Sequence, residues 1–276
     1  MDEAVRDAFR DDGAVLIKDV LDDHELGRCR EAFDWAVANP GPMAFRIFNK
    51  TEQQTHNDNA NPLAKARLDA MVQTLPFGEL FAELWGSKHV WYYAEEVFLK
   101  AGGKPGRSPW HQDTSSMPLA GEHWANAWIS FEALPKRNSL EVVRGSHRGT
   151  LYNGATFKNP DDPTEPLWPG DVLPRLPDIE AERARDPDAY DIVSWATEPG
   201  DVLIVHPGSL HGGAPVDEDC PDRHTLVLRF FGDDATFRPL PDTNKHYARN
   251  GVLFVEEMAK LNAGDPFRSP IFQQLV

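Results

Sequence analysis

Two side chains that metals favour stand one residue apart in the stretch PWHQDTSS, residues 109 to 116. If this stretch is extended, alternate residues share a face, so His111 and Asp113 converge while Gln112 looks away. An imidazole and a carboxylate offered by one strand are two of the three ligands of a 2-His-1-carboxylate facial triad. That arrangement holds non-haem Fe(II) and leaves positions open for substrates. The spacing alone is common, and the ordinary alternative is a surface histidine paired with a nearby aspartate. A third ligand has to come from elsewhere. The stretch EPGDVLIVHPGSLHGGAPVDEDCPDRHTLVLRF, residues 198 to 230, offers two candidates, His206 and His211. His206 closes an apolar run, whereas His211 follows a Pro-Gly bend and precedes Gly212 and Gly213, which allow close approach of backbone or ligand. On the next strand Arg223, Thr225, Val227 and Arg229 share one face. A guanidinium there could grip a carboxylate through two hydrogen bonds. The plainer alternative for Arg223 is an ion pair with Asp217, Asp219 or Asp222.

The elements that must position these residues fall into two groups. Ala4, Val5, Ala8 and Phe9 recur at helical spacing, with Gly13 as a stop. VLIKDV (15 to 20) is a short strand, and Asp22 or Asp23 caps a helix carrying Leu26, Cys29, Phe33 and Val37. Two more helices are expected at about 62 to 73 and 77 to 85. From residue 90 the chain turns to β-branched and aromatic residues. VWYYAEEVFLKAG, HWANAWISFEAL, SLEVVRGSH, GDVLIVHPG and HTLVLRFFGDD read as strands. In the second of these Trp124, Asn126, Trp128, Ser130 and Glu132 lie on one face and Ala125, Ala127, Ile129, Phe131 and Ala133 on the other. Helices followed by short strands predict an α+β fold with a sandwich or barrel core. Residues 148 to 197 are dense in Pro and Asp and weakly periodic, with a short helix expected at DIEAERARD. Such an insertion is either a lid on a binding face or a surface excursion. The whole chain, 1 to 276, reads as one domain.

Composition narrows the function classes. Lys plus Arg is 28 against 44 for Asp plus Glu, a formal charge of −16. A general nucleic-acid or anionic-membrane binder needs a positive surface, so neither partner is expected. With 41% apolar residues the chain can bury a sizeable core. The two cysteines, Cys29 and Cys220, do not form a CxxC, which disfavours a thiolate zinc site or a disulfide framework. The acidic N-terminus has no apolar core of a secretory leader, and no apolar run approaches a membrane span. A cytoplasmic protein acting on a small molecule is the expectation.

Taken in order, PWHQD, NAWISFEAL, SLEVVRGSH, PGDVLIVHPGSLHGG and the R…LRF strand resemble the phytanoyl-CoA dioxygenase family of Fe(II)/2-oxoglutarate oxygenases, over roughly residues 5 to 235. The three boxes in this order are more specific than any one alone. The resemblance implies a double-stranded β-helix, or jelly roll, with the N-terminal helices packed on one sheet. It implies Fe(II) held by His111, Asp113 and His211, with 2-oxoglutarate and O2 as cosubstrates. His211 matches the third ligand because that histidine is followed directly by glycine, which leaves His206 as a core or supporting residue. Arg223 matches the arginine that binds the far carboxylate of 2-oxoglutarate. The gap from His211 is about one residue longer than usual, which keeps Arg229 as the alternative. Gln112 and Trp128 match positions that often line the cosubstrate pocket, and His147 matches a structural histidine. The implied reaction oxidises an unactivated C–H bond, commonly by hydroxylation, with release of succinate and CO2. Related halogenases lack the carboxylate, so Asp113 disfavours halogenation.

The chain departs from the family pattern at Gly213, where relatives commonly have a hydroxyl that bonds the cosubstrate. A further cosubstrate residue is expected upstream, in RIFNK, with Lys50 as the candidate. Trp124, Tyr92, Tyr93 and the insertion are candidate walls, although Tyr92 and Tyr93 cannot face one side of a strand. Two rival readings remain: a cupin-type metalloenzyme that needs neither 2-oxoglutarate nor Arg223, and a non-catalytic jelly roll that binds a ligand or partner.

Overall fold

The computed structural model describes residues 1–47, 55–102, 107–159, 161–216, 220, 222–241 and 252–276. The local signals at the N-terminus act as read. Helix α1 (Glu3–Asp12) starts where Asp2 accepts the Ala4 amide and stops at Gly13, whose φ of 75° suits a residue without a Cβ. Strand β1 (Ala14–Ile17) follows. Helix α2 (Asp23–Ala38) opens with a reciprocal capping box, in which Asp22 accepts the Glu25 amide and Glu25 accepts the Asp22 amide. Helices α3 (Lys65–Val72) and α4 (Phe77–Trp85) complete the helical layer.

The strands form two facing antiparallel sheets. Between the N-terminal helices lie β2 (Phe45–Ile47) and β3 (Thr55–Asn59). After the helices come β4 (Trp91–Lys100), β5 (Ser108–His111), β6 (Leu119–Ala120), β7 (Trp124–Ser130) and β8 (Leu140–Val143). Then follow β9 (Ile192–Val193), β10 (Val202–Val205), β11 (His211–Gly213), β12 (Arg223–Phe231), β13 (Thr236–Phe237) and β14 (Gln273–Gln274). The large sheet runs β1-β10-β7-β12-β4-β3-β2 with β14 beside β4; the small sheet runs β5-β11-β8-β9; β13 pairs with β6. This is the expected jelly roll with helices on one sheet. Among the described residues, no helix is long and apolar enough to cross a membrane.

Alternation along the strands separates two environments. Ala125, Ala127, Ile129, Leu226, Leu228 and Phe230 turn outward and pack with Phe9, Phe33, Phe77 and Phe81 of the helices. The opposite face looks between the sheets, where Trp128 meets Leu140, Val142 and Leu203. The β12–β7 register places Arg229 opposite Asn126, Val227 opposite Trp128 and Thr225 opposite Ser130. The two tyrosines divide as alternation requires: Tyr92 joins the helix-side core and Tyr93 the other.

Two regions went beyond what the pattern signalled. The insertion is pinned at separate points, for Trp168, Leu176 and Ile179 are buried, and α5 (Ile179–Arg185) is capped by Asp178. The chain past residue 235, which the motifs did not reach, contains α6 (Val252–Met258) and closes one end of the sandwich. There Phe254, Phe267 and Phe272 pack with Tyr93, Trp124, Trp168, Phe231 and Phe237.

The helix-side interface generates a direct stability test. Phe230 is fully buried and its ring lies 4.7 Å from that of Phe81 and 5.1 Å from that of Phe77. Phe230→Ala is expected to lower the unfolding free energy by about 3–5 kcal/mol in a urea titration. Leu63→Ala, at a position 62% exposed, is expected to change it by about 0.5 kcal/mol or less.

Candidate metal centre

The β5–β11 pairing sets His111 and His211 opposite one another across the small sheet, with ring centroids 4.3 Å apart. This pairing needs glycine at 212: a Cβ there would stand 3.1 Å from the Ser108 carbonyl oxygen and from Trp110 Cα. Extended backbone continues through Gln112, at φ −119° and ψ 129°, and a 3-10 turn then runs from Asp113 to Ser115. Asp113 thus comes round on the side of the two imidazoles. Its Oδ1 lies 3.4 Å from His111 Nε2 and 3.9 Å from His211 Nε2. One donor atom from each of the three residues fits within a spread of 4.8 Å.

Backbone carbonyls select the tautomers. His111 Nδ1 is 2.9 Å from the Pro109 oxygen and His211 Nδ1 is 2.9 Å from the Ser209 oxygen. A carbonyl only accepts, so each Nδ1 donates and each neutral ring turns its Nε2 lone pair to the centre. His211 Nε2 is buried and without a hydrogen-bond partner among the described residues. An orphaned buried acceptor beside a second imidazole and a carboxylate is what a divalent cation satisfies, and two nitrogens with one carboxylate oxygen suit iron. The residues therefore fit the metal that the motifs imply.

The carboxylate is held by its other oxygen. Asn126 Nδ2 donates to Asp113 Oδ2 at 2.6 Å, and Arg229 Nη2 is 3.9 Å from the same oxygen. Arg229 is itself buried and paired with Glu96, with Asn59 Oδ1 3.5 Å from its second nitrogen. The charges shift one another strongly. Burial opposes ionisation of Asp113, but His111, His211 and Arg229 together outweigh it and keep the carboxyl well below its usual range. Burial also opposes a charged His111, yet Asp113 holds that imidazole above its ordinary value. His211 is pushed down to about 4 by burial and by His111.

His206, the other candidate ligand, lies elsewhere. Its Nε2 is 3.2 Å from the Gly121 oxygen, its Nδ1 accepts the Gly208 amide, and its ring packs 5.1 Å from that of His147. Burial and His147 push it down to about 3. His147 in turn bonds the Arg10 carbonyl at the end of α1.

Gln112 was matched both to a cosubstrate wall and to the face turned away, and the structure places it on the latter. Its amide donates to the Thr150 and Gly208 carbonyls and accepts the Tyr152 amide, which ties the ligand strand to the insertion. Both N–H groups of that amide and one lone pair of its oxygen are thus engaged by backbone, so Gln112 acts as a clamp on the ligand strand. Trp128 faces the interior, its ring 5.6 Å from that of Phe98 and 6.2 Å from that of His211. Its Nε1 is buried without a partner among the described residues. Arg223 opens β12, buried, and donates to the Ala214 and Pro215 carbonyls. Asp222 accepts the Gly102 amide; Asp217, Asp219 and Lys50 lie outside the described residues. The insertion reaches the site through Phe157, whose ring meets that of His111 edge-on at 5.1 Å. Asn126 and Arg229 are the supporting residues that motif reading missed. Alternation had put both on inward faces, but nothing in the pattern marks either as a partner of Asp113.

Comparison with known proteins bears on the family and the fold. The family model for phytanoyl-CoA dioxygenase (PhyH) matches residues 9–225. Among solved structures, the chain is similar to the non-haem α-ketoglutarate-dependent carbocyclase SnoK from nogalamycin biosynthesis. Identity is 20%, with 100% of this chain and 97% of that one covered, at a TM-score of 0.69. It is also similar to the epimerase SnoN in complex with Fe3+, α-ketoglutarate and nogalamycin RO, at 17% identity, 99% and 98% coverage and a TM-score of 0.68. EvdO2 from Micromonospora carbonacea var. aurantiaca, complexed with 2-oxoglutarate, matches at 18% identity, 88% and 95% coverage and a TM-score of 0.54. At these identities the likeness speaks to the shared fold. Sequence comparison with curated proteins gives no match.

The ligand set and its support are tested by metal analysis of purified variants. Asp113→Ala and His211→Ala are expected to abolish Fe(II) binding, whereas His206→Ala leaves it. Asn126→Ala, which frees Asp113 Oδ2, is expected to weaken Fe(II) affinity roughly 10–100-fold.

Proposed function

The chain belongs to the phytanoyl-CoA dioxygenase family, and on that basis we propose that it is an Fe(II)- and 2-oxoglutarate-dependent oxygenase that hydroxylates an unactivated C–H bond of a small molecule. The observation that carries this reading is the convergence of His111, Asp113 and His211, with the His211 Nε2 lone pair buried and unmatched. These three residues would hold the iron. Once bound, the metal supplies activation of O2 and one-electron chemistry that no side chain of the protein offers.

The protein's own residues do the positioning. Asn126 fixes Asp113 through Oδ2 and leaves Oδ1 toward the histidines. Arg223 offers two nitrogens on the inward face of β12 for the far carboxylate of 2-oxoglutarate, which is the reading adopted over Arg229. Arg229 is paired with Glu96 beside Asp113, where it balances the charge around the ligand rather than anchoring a cosubstrate. Trp128 stacks on Phe98 and meets His211 edge-on, so the two rings form an aromatic wall beside the ligands. The presence of Asp113 as a ligand favours C–H oxidation and disfavours halogenation. Phe157, from the 148–197 insertion, covers one side of His111, which suits a lid role for that segment.

The first test is anaerobic titration of the metal-free protein with Fe(II) and 2-oxoglutarate, followed through the visible charge-transfer band of the chelate. A band is expected, and Arg223→Ala should raise the dissociation constant by roughly 30-fold or more, the effect of truncating one side of a buried charged contact. Bound iron without a band would turn the reading to a cupin-type metalloenzyme, and absence of iron binding to a binding module. Because similar structures include an epimerase and a carbocyclase, product analysis with O2 identifies the oxidative outcome.

A further inference from the structure

Two buried side-chain amides flank the carboxylates beside the metal ligands, and both are arranged alike. Asn126 donates from Nδ2 to Asp113 Oδ2 at 2.6 Å, and Asn57, on β3, donates from Nδ2 to Glu96 Oε1 at 2.7 Å. A carboxylate only accepts, so each amide turns its nitrogen toward the acid and its oxygen away. Both oxygens, Asn126 Oδ1 and Asn57 Oδ1, are then left buried without a hydrogen-bond partner among the described residues. Asn126 is 0% exposed and Asn57 1%. A buried acceptor left unmet is costly, so something outside the protein has to meet it.

Strand register places these groups in one neighbourhood. Asn126 stands opposite Arg229 across β7 and β12. Asn57 stands opposite Phe98 across β3 and β4, and Phe98 stacks on Trp128, so Asn57 shares the inner face that carries the site. Arg229 joins the two carboxylates, pairing with Glu96 and lying 3.9 Å from Asp113 Oδ2. Its Nη1 is 3.5 Å from Asn59 Oδ1, and its Nε is buried without a partner among the described residues. The neighbourhood therefore offers two unmet acceptors and one unmet donor, and its single guanidinium already serves two carboxylates.

That combination is selective. A carboxylate, phosphate or sulfonate has no proton for an amide oxygen, and Arg229 is not free to neutralise it. An ammonium donates but cannot accept from Nε. A hydroxyl does both. We propose that Asn57 is a specificity-determining residue whose Oδ1 accepts from a substrate hydroxyl, and that the substrate is a neutral, hydroxyl-rich compound. This inference rests on the oxygenase reading and names its substrate class. Glu96 holds the Asn57 amide and Arg229 holds Glu96, so the acceptor is aimed before substrate arrives. Asn126 Oδ1 offers a second such contact, but Asn126 also fixes Asp113, so Asn57 is the residue that separates recognition from metal binding. A water that merely fills a gap would also meet these atoms and would leave the site indifferent to added hydroxyl compounds.

The test is proton magnetic relaxation of three probes added to the protein loaded with Mn(II) and 2-oxoglutarate: glycerol, its trimethyl ether and propane-1,3-disulfonate. The paramagnetic ion speeds relaxation of any probe held near the ligands, so no turnover is needed. Glycerol is expected to show a saturable enhancement, and the ether and the disulfonate an apparent affinity roughly tenfold lower or less. Asn57→Leu, close in size and unable to accept, should weaken glycerol by a similar factor. Equal affinity for the ether or the disulfonate overturns the assignment, a comparison that requires no variant to fold. So does glycerol without enhancement, or with unchanged affinity in Asn57→Leu. The oxygenase reading is judged separately, by the charge-transfer band of the Fe(II) chelate in the unaltered protein. Without the band that reading falls and the substrate assignment with it; with the band and a negative glycerol result, only the substrate assignment falls.

Discussion

The site depends on a single strand pairing, that of β5 with β11. By placing His111 opposite His211, it sets the distance between two nitrogen donors by backbone hydrogen bonding rather than by side-chain choice. Gly212 lets the strands approach, and the carbonyls of Pro109 and Ser209 fix the two rings from behind. Asp113 needs only the short turn after Gln112 to join them. A centre built on paired strands loses little entropy when a metal binds, since its donors are held before the ion arrives.

Charge is arranged along the inner face of the large sheet in the same register. Asp113 and Glu96 share the single guanidinium of Arg229, so this end of the interior sets two carboxylates against one cation. The other end carries Lys100 and Arg223 facing one another. Trp128 and Phe98 stack on the same inner face.

Closure of the sandwich comes from segments outside the motif-bearing region. The last part of the chain and the insertion bring Phe254, Phe267, Phe272 and Trp168 onto Trp124 and Phe231. Trp168 also donates to the Ser115 carbonyl, and Arg238 to the Thr114 carbonyl, both in the turn that begins with Asp113. Gln112 adds a third tie, to the insertion at Thr150 and Tyr152. The ligand turn is therefore braced by residues far along the chain, which gives the Pro-rich stretch a packing role as well as a covering one.

Much of this was legible in the sequence because it is written in short-range rules. Helix caps at Asp22 and Gly13, the period of two in WANAWIS, and the turn residues around each strand all act between near neighbours. The ligand trio was legible through the order of the motifs, although the residues alone left His206 and His211 equal. Tertiary structure separated them, since which histidine meets His111 depends on strand register across the small sheet. It likewise decided that Gln112 turns away and that Asn126 grips Asp113. The β2–β3 hairpin, whose THNDN strand has little intrinsic β-preference, exists because β4 offers it an edge. Local periodicity and capping belong to the sequence itself, whereas pairings between distant strands are set by the packing of the whole chain.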